Sequence, residues 1–483
     1  MRKLQLFLSN STEITSLEDF FLFSTSKMTE FMTCGGVLSF MVVLSFMVHH
    51  MLRVNISIAI VEMAVKNVSN SSENYGPRYN WSTIERNYIL GSYFWGYIIT
   101  QIPGGRLAER FGSKIVVGVG LLSASVLTLL IPAASNTHYY LVLLVRACIG
   151  LTMGVHWPSI PPMAVKWAPP NDISKFMSHM FASALGGAAT VVLCGYLIVY
   201  LGWPSVFYVT GTLGILWTIS WFYLVYDSPR QHPRISIVEK EKLENKIQNK
   251  IHLVKKQKTP WSKIFTSAPV WAIVVSNPCG TLAAFFVFHH LPTYLDQVLH
   301  FNIKQNGWLS SLPQIVRYFT TVLASYVVEK LLKQQKVSKI TIRRFCSAAS
   351  FWGQCLMLAI QVVWGENRTV SVVAFTICLA FAGFNIPGFY SNCVDISPAY
   401  SGTIFGISQV PLSVTGFLMA ELISLIVDDP HSFEQWRYIF LTFIGFKLTA
   451  SIIYLAFATS EEQSWNPKPE PAEMEGLKNS QTE

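Results

Sequence analysis

Two arginines interrupt segments that otherwise carry almost no charge: Arg53 in MLRVNISIAIVEM and Arg146 in LVRACIGLTMGVHWP. A guanidinium is planar, permanently charged and presents five donors in a fork that matches an oxyanion. Ser57 stands one turn beyond Arg53, so hydroxyl and guanidinium share a helical face. Gly150 and Gly154 follow Arg146 at i+4 and i+8, a stripe that admits a close neighbouring backbone or a ligand. An arginine at the centre of a bilayer costs about 2.5–3.5 kcal/mol on insertion scales. The residue types allow two compensations: an anion held between the pair in a polar cavity, or a buried carboxylate or helix C-terminus for each.

The other charges inside apolar runs are few. Glu62 lies nine residues past Arg53, about 13 Å along a helix, which puts it near a membrane surface. Arg317, Glu421 and Lys447 are open between structural pairing and cavity lining. His289 and His290 can serve as interfacial hydrogen-bonding groups or as a pH sensor.

These residues need elements that span a membrane. The 483-residue chain has a mean hydropathy of +0.38 and 13% charged residues, against roughly a quarter in soluble proteins. Its apolar residues come in runs of about twenty, the length that crosses hydrocarbon as a helix. The fold class expected is an all-α membrane protein of about twelve spans in two six-helix halves. The first span covers about 35–64; others recur near 87–103, 115–133, 139–163, 176–200 and 206–226, then near 269–291, 307–328, 346–364, 370–390, 403–427 and 437–457. The expected domains are a cytosolic segment 1–33, a first half 34–226, a cytosolic linker 227–267, a second half 268–458 and an acidic cytosolic tail 459–483. The first segment carries one amphipathic patch, LEDFFLF, at 17–23, and the linker reads as a surface helix with a charged face.

A net charge of +9 does not argue for nucleic acid, because the basic residues sit in loops between spans. Sequons at Asn67, Asn70 and Asn80 share one loop and Asn367 stands in another. With those loops outside, Arg106, Arg110, Lys114, Lys166, Lys175, Lys330, Lys333, Lys336, Lys339, Arg343 and Arg344 fall inside, as positive-inside orientation requires. Both termini are then cytosolic, and the sequons at Asn10 and Asn55 stay unmodified. No HExxH, GxSxG or Walker sequence is present and no His–carboxylate cluster has metal spacing, so the chain does not read as an enzyme. No filter loop or ring of charges marks a channel. Eight cysteines form no CxxC pair and read as packing residues. No cofactor or metal is implied.

Longer motifs carry a resemblance. GSYFWGYIITQIPGGRLAERFGSK begins as an apolar helix at Gly91, meets a ProGlyGly break at 103–105 and turns ionic; with RVNISIAIVEM, KWAPP, GWPSVFYVTGTLG, DSPRQHPRIS, LPTYLDQVLHFNIKQNGWLSSLP and GFYSNCVDISPAYSGTIFGIS it covers roughly 35–460. The chain resembles the solute carrier family of anion:cation symporters within the major facilitator superfamily, which includes sodium/phosphate cotransporter-like proteins, sialin and the vesicular glutamate transporters. The overall pattern is most similar to the insect-type inorganic phosphate cotransporters. The resemblance implies two halves rocking about a central site, with the family's anion-binding arginines at Arg53 and Arg146 and weaker cavity candidates at Tyr97 and Asn392. It implies a cytosolic gate at Gly105, Glu109, Arg110 and Gly112, with Ser113 where a basic residue is usual. EKLLKQQKVSK in the second half echoes this stretch, with Glu329 and Lys330 in place of Glu109 and Arg110.

Departures bear on the cargo. The glutamate that proton-coupled relatives carry seven residues after the fourth-span arginine is Met153 here, and the arginine after KWAPP is Ile173. Leu90 and Gly280 replace the histidine and the basic residue of vesicular glutamate transporters. The expected function is secondary transport of inorganic phosphate or a small organic anion, cation-coupled or voltage-driven, in a plasma membrane. Sodium is a candidate coupling ion with no readable site; partners are the small anionic substrate and the lipid bilayer, and a monomer is compatible with the sequence. The alternatives are a non-transporting anion sensor or scaffold, and a proton-coupled sialic acid or glutamate-type carrier.

The sidedness is testable directly. N-glycosidase treatment of protein from eukaryotic cells should lower its apparent mass on a gel, and replacing Asn67, Asn70, Asn80 and Asn367 together by Gln should abolish that shift. A shift surviving in the fourfold variant would put another loop outside and invert the topology.

Overall fold

The computed structural model describes residues 33–64, 75–246, 258–301, 303–429 and 431–467. The amphipathic patch at 17–23 and the sequons at Asn10, Asn67 and Asn70 lie outside the described residues. Among the described residues the apolar runs fold into twelve long helices and no strand: α1 (Cys34–Met63), α2 (Thr83–Phe111), α3 (Ser113–Leu129), α4 (Tyr139–Trp167), α5 (Ile173–Leu201), α6 (Trp203–Leu224), α7 (Ala268–His289), α8 (Ile303–Gln334), α9 (Lys339–Trp364), α10 (Arg368–Ile396), α11 (Ser401–Ile426) and α12 (Phe433–Phe457). Nine helical spans are long and apolar enough to cross a membrane, ten when α3 is joined to Ile131–Thr137 across a 43° bend. The other two long helices, α2 and α8, run to 29 and 32 residues but are more polar. Between them they carry Gln101, whose Nε2 donates to the Ser413 hydroxyl of the other half at 2.7 Å, and Glu109, Arg317 and Glu329, whose contacts also reach toward the other half (below).

The ProGlyGly at 103–105 does not break α2. The helix continues through Pro103 to Phe111 and ends at Gly112, whose φ of 96° needs a glycine. A Cβ there would stand 2.2 Å from Oδ2 of Asp227. The same carboxylate accepts from the Lys114 amide at 2.9 Å, satisfying an orphan donor at the start of α3. Gly112 therefore works within the first half, fixing how α2 turns into α3.

Glycines set the helix spacing. A Cβ on Gly96 would lie 2.0 Å from the Ala147 carbonyl oxygen, on Gly150 1.9 Å from that of Tyr93, and on Gly154 2.3 Å from that of Tyr97. The stripe after Arg146 thus admits the backbone of α2 rather than a ligand. On its other side α2 meets α11, where a Cβ on Gly105 would lie 2.1 Å from the Gly402 carbonyl oxygen.

Three helices are broken where they meet the middle of the molecule. α4 passes through a 3-10 turn at Trp157–Ser159 and α5 through one at His179–Ala182. α10 has a π-turn at Ile386–Tyr390, with Gly388 outside helical geometry (φ −84°, ψ −117°). Such breaks persist at membrane depth only where other groups take up the freed backbone atoms; here Arg343 Nη1 donates to the Pro387 carbonyl at 2.7 Å.

The linker helix Ile237–Lys246 does more than cover a surface. Its Glu239 carboxylate accepts from the Cys34 and Gly35 amides at 3.1 and 3.0 Å, neutralising the N-terminus of α1. Beyond α12, Asn466 Oδ1 accepts from the Ser397 hydroxyl at 2.8 Å and the Ala399 amide at 3.3 Å, returning the chain to the α10–α11 turn.

Gly150→Ala separates two opposed effects. Helix propensity alone would favour alanine by about 1 kcal/mol, whereas forcing α2 away from α4 costs about 1–3 kcal/mol. The variant should unfold at lower temperature than the wild type in detergent; a raised Tm would mean the two backbones do not touch.

Candidate functional site

Arg146 projects from α4 and is 2% exposed. Its Nη2 donates to the Arg53 carbonyl on α1 at 3.5 Å, while its Nε and Nη1 are buried without partners. Both guanidinium groups lie by the ring of Tyr93 on α2, Arg53 with its central carbon 5.7 Å from the centroid and Arg146 at 5.3 Å. Arg53 is also 5.0 Å from the Phe94 centroid. Among the described residues no carboxylate pairs with either arginine, which removes the alternative of buried ion pairs. Two cations thus share one aromatic ring, and Arg146 keeps two buried donors without a partner among the described residues.

Tyr97, one turn along α2, stacks on Tyr93 with centroids 5.3 Å apart and is 7% exposed. It belongs with the arginines. Asn392 does not: it is buried in the second half beside Tyr454. The break in α10 turns Tyr390 toward the centre instead, where its hydroxyl donates to Asn277 Oδ1 at 2.7 Å and its ring lies 6.0 Å from Phe181 of α5. Met153 is fully buried on α4.

The remaining intramembrane charges sort by their contacts. Lys447 is fully buried and donates to the Cys279 carbonyl at 2.9 Å and to Gln354 Oε1 at 2.8 Å, a structural role. Glu421 is exposed, and Glu62 faces Arg78 at 4.0 Å. Arg317 is the central one: 8% exposed, 4.3 Å over the Phe181 ring, with Nε unpartnered. Sequence reasoning passed over a histidine pair, His49 on α1 and His156 on α4, because 107 positions separate them. Their rings stack at 4.9 Å, and His49 lies 6.3 Å from Tyr97.

At one end of the bundle the two halves are tied together. Glu109 accepts from the Thr403 amide at 2.7 Å and its hydroxyl at 2.8 Å, in the first turn of α11, and pairs with Arg106 at 3.0 Å. Hydrogen bonds to a charged group contribute about 1.5–3 kcal/mol each, and the helix dipole adds to them. Arg110 is exposed and, among the described residues, meets the ring of Phe111 at 5.3 Å. Because α2 stays helical, Glu109 pairs with the residue one turn back, Arg106.

A second set of contacts repeats the pattern. Glu329 on α8 pairs with Lys175 at 3.7 Å and with Lys333, which also meets Asp172 at 3.0 Å. Lys175 and Thr403 are each the third residue of their helix, α5 and α11. Arg343 binds Asp395 at 2.7 Å and reaches across the halves to the Ser174 hydroxyl at 2.7 Å. Asn80 and Asn367 are exposed at the opposite end, where α2 begins and α9 ends.

A model of the Major Facilitator Superfamily matches residues 31–420. Vesicular glutamate transporter 2 of Bos taurus is 34% identical over 457 residues, covering 91% of this chain and 78% of that protein. Sialin of Homo sapiens is 33% identical over 439 residues, covering 87% and 88%. Among solved structures, a proton:xylose symporter bound to 6-bromo-6-deoxy-D-glucose superposes with a TM-score of 0.64 at 16% identity, covering 91% of this chain and 98% of that one. A transporter of the same superfamily in its outward conformation gives 0.59 at 12% identity, covering 86% and 99%. At those identities the structures speak for the fold alone.

The contacts at the tied end carry a prediction. Spin labels at exposed Arg110 and Lys336, in a background without reactive cysteines, report the separation of the halves there. Glu109→Ala should shift the distance distribution to longer values, and adding Glu329→Ala should shift it further. An unchanged distribution in the double variant would show that these contacts do not hold the end closed.

Proposed function

The chain belongs to the Major Facilitator Superfamily, in its anion:cation symporter family, and from that premise we propose that it carries a small anion across a membrane by alternating access, with Arg53 and Arg146 as the anion site. It is an integral, multi-pass membrane protein and a transporter rather than an enzyme. The observation that carries the anion site is the shared Tyr93 ring: two guanidinium groups beside it, one fully desolvated, without a carboxylate among the described residues.

The cargo proposed first is inorganic phosphate or a small organic anion, since a fork of donors suits either oxyanion. The names of the relatives, a glutamate transporter and sialin, favour the organic class. The closed end carries Lys114, Lys175, Lys333, Lys339 and Arg343, and the positive-inside tendency supports assigning it, with both termini, to the cytosol. On that assignment Glu109 and Glu329 hold the cytosolic gate, the site opens outward, and Asn80 and Asn367 meet the exterior. The membrane proposed is the plasma membrane, with the single chain as the transporting unit. An inside-negative potential opposes anion entry by about 2.3 kcal/mol per charge per 100 mV. Uptake therefore requires a cotransported cation, whereas export of an organic anion runs on voltage alone.

Purified protein in proteoliposomes tests the site. Flux of radiolabelled phosphate or of a panel of organic anions should fall more than tenfold in Arg146→Ala and recover in part in Arg146→Lys, which keeps charge but loses the planar fork. Thermal stability of Arg146→Ala should hold or rise, because the side chain has no internal ion pair to lose and its burial is a cost. Full flux in Arg146→Ala would remove the assignment.

A further inference from the structure

The imidazoles of His49 and His156 are each 1% exposed and stack with an interplanar angle of 28°. Neither nitrogen of His49 makes a well-formed hydrogen bond, and His156 uses only Nε2, 3.3 Å from the Ser45 hydroxyl. Among the described residues the stack's ring nitrogens have at best the Met153 carbonyl beside His49 and the Ser45 hydroxyl, an expensive arrangement if the rings only fill space, because each orphaned polar group costs about 1–3 kcal/mol. Phe46 packs edge-on against His156 at 4.5 Å and keeps the pair from spreading. Two imidazoles do not complete a metal site, and among the described residues no group of three His, Cys, Asp or Glu can hold an ion.

We propose that His49 and His156 form one proton site linked to the anion on Arg53 and Arg146, so that each anion crosses together with a proton. This rests on the anion-site reading above. The location favours it. His49 is one helical turn before Arg53 and His156 shares α4 with Arg146. Facing His49 are His50 and Arg53 on its own helix, Tyr97 from α2 and His156 from α4; among the described residues α5 and α6 bring no charged group to it, and none faces His156 from α2, α3 or α11. The nearest fixed charge is therefore positive and opposes a proton on the pair. An anion on Arg53 and Arg146 cancels that field, so proton and anion each raise the other's affinity by the same factor. The imidazolium that forms has a stacked neutral ring beside it and the Met153 carbonyl next to His49. The proton enters from water on the open side and leaves with the anion after the halves rock. The pair stands one turn from Met153, so a titrating group is present although that position cannot take up a proton.

The test uses full-length protein in proteoliposomes, with radiolabelled inorganic phosphate and L-glutamate as probes. Wild type should show counterflow of at least one probe, and an alkaline interior should drive its net accumulation by about tenfold per pH unit for one proton per anion. In weakly buffered detergent solution, adding that probe should raise the pH through proton uptake. His49→Gln and His156→Asn should unfold at a temperature close to that of the wild type and still bind the probe, more weakly and with an affinity that no longer depends on pH, while losing both the pH-driven accumulation and the proton uptake. Variants that retain both would overturn the proton site, as would wild-type accumulation driven by a sodium gradient and indifferent to pH; in either case the anion site stands. Absence of wild-type counterflow would overturn the transport reading and this proposal with it.

Discussion

Uncompensated positive charge in a desolvated place is the constraint on which the rest of the structure depends. Burying an ion costs several kcal/mol even after relaxation, and Arg146 is buried beside Arg53 without a carboxylate. The Tyr93 ring returns about 2 kcal/mol through its quadrupole, only part of that cost. The fold tolerates the remainder, which is the physical ground for the anion site proposed at these arginines. Lys447 makes the contrast: equally buried, it is bonded to a carbonyl and an amide oxygen and needs nothing more.

Holding that charge in place is a packing problem, and α2 is the element that solves it. Gly96, Gly150 and Gly154 bring α2 and α4 into backbone contact, which sets Tyr93 against both arginines. Sixteen residues along the same helix, about 24 Å, stands Glu109 with its contacts to α11. One helix therefore touches the anion site at one end and the tie between the halves at the other.

The sequence made the arginines legible because a charge inside an apolar run is conspicuous. It also indicated the helix count and the two-half arrangement, since runs of about twenty apolar residues repeat on either side of a basic linker. It misled at ProGlyGly, a turn signal by local chemistry, where the glycines serve close contact with α4 and α11 and the helix continues. The i,i+3 pairing of Arg106 with Glu109 exists only on an unbroken helix, so a break read at ProGlyGly hides it. Asn392 and Tyr390 could not be told apart, since the π-turn decides which of them faces the centre. The His49–His156 stack had no linear signal, because helix packing alone creates it.

The two ties repeat one design, a carboxylate near the end of α2 or α8 set against the first turn of α11 or α5. Moving a population from 1:99 to 99:1 takes about 5.5 kcal/mol, comparable to what a few charge-assisted bonds of this kind contribute. The bound species must supply its share by differential interaction with the two states, since equal affinity shifts nothing. Charge provides that difference. On the proposed function, a state that encloses empty arginines keeps the cost of unpaired buried cations, whereas one that encloses an anion holds a neutralised pair. The ties then yield when the site is occupied, because occupancy removes the desolvation cost of the intermediate in which both ends are shut.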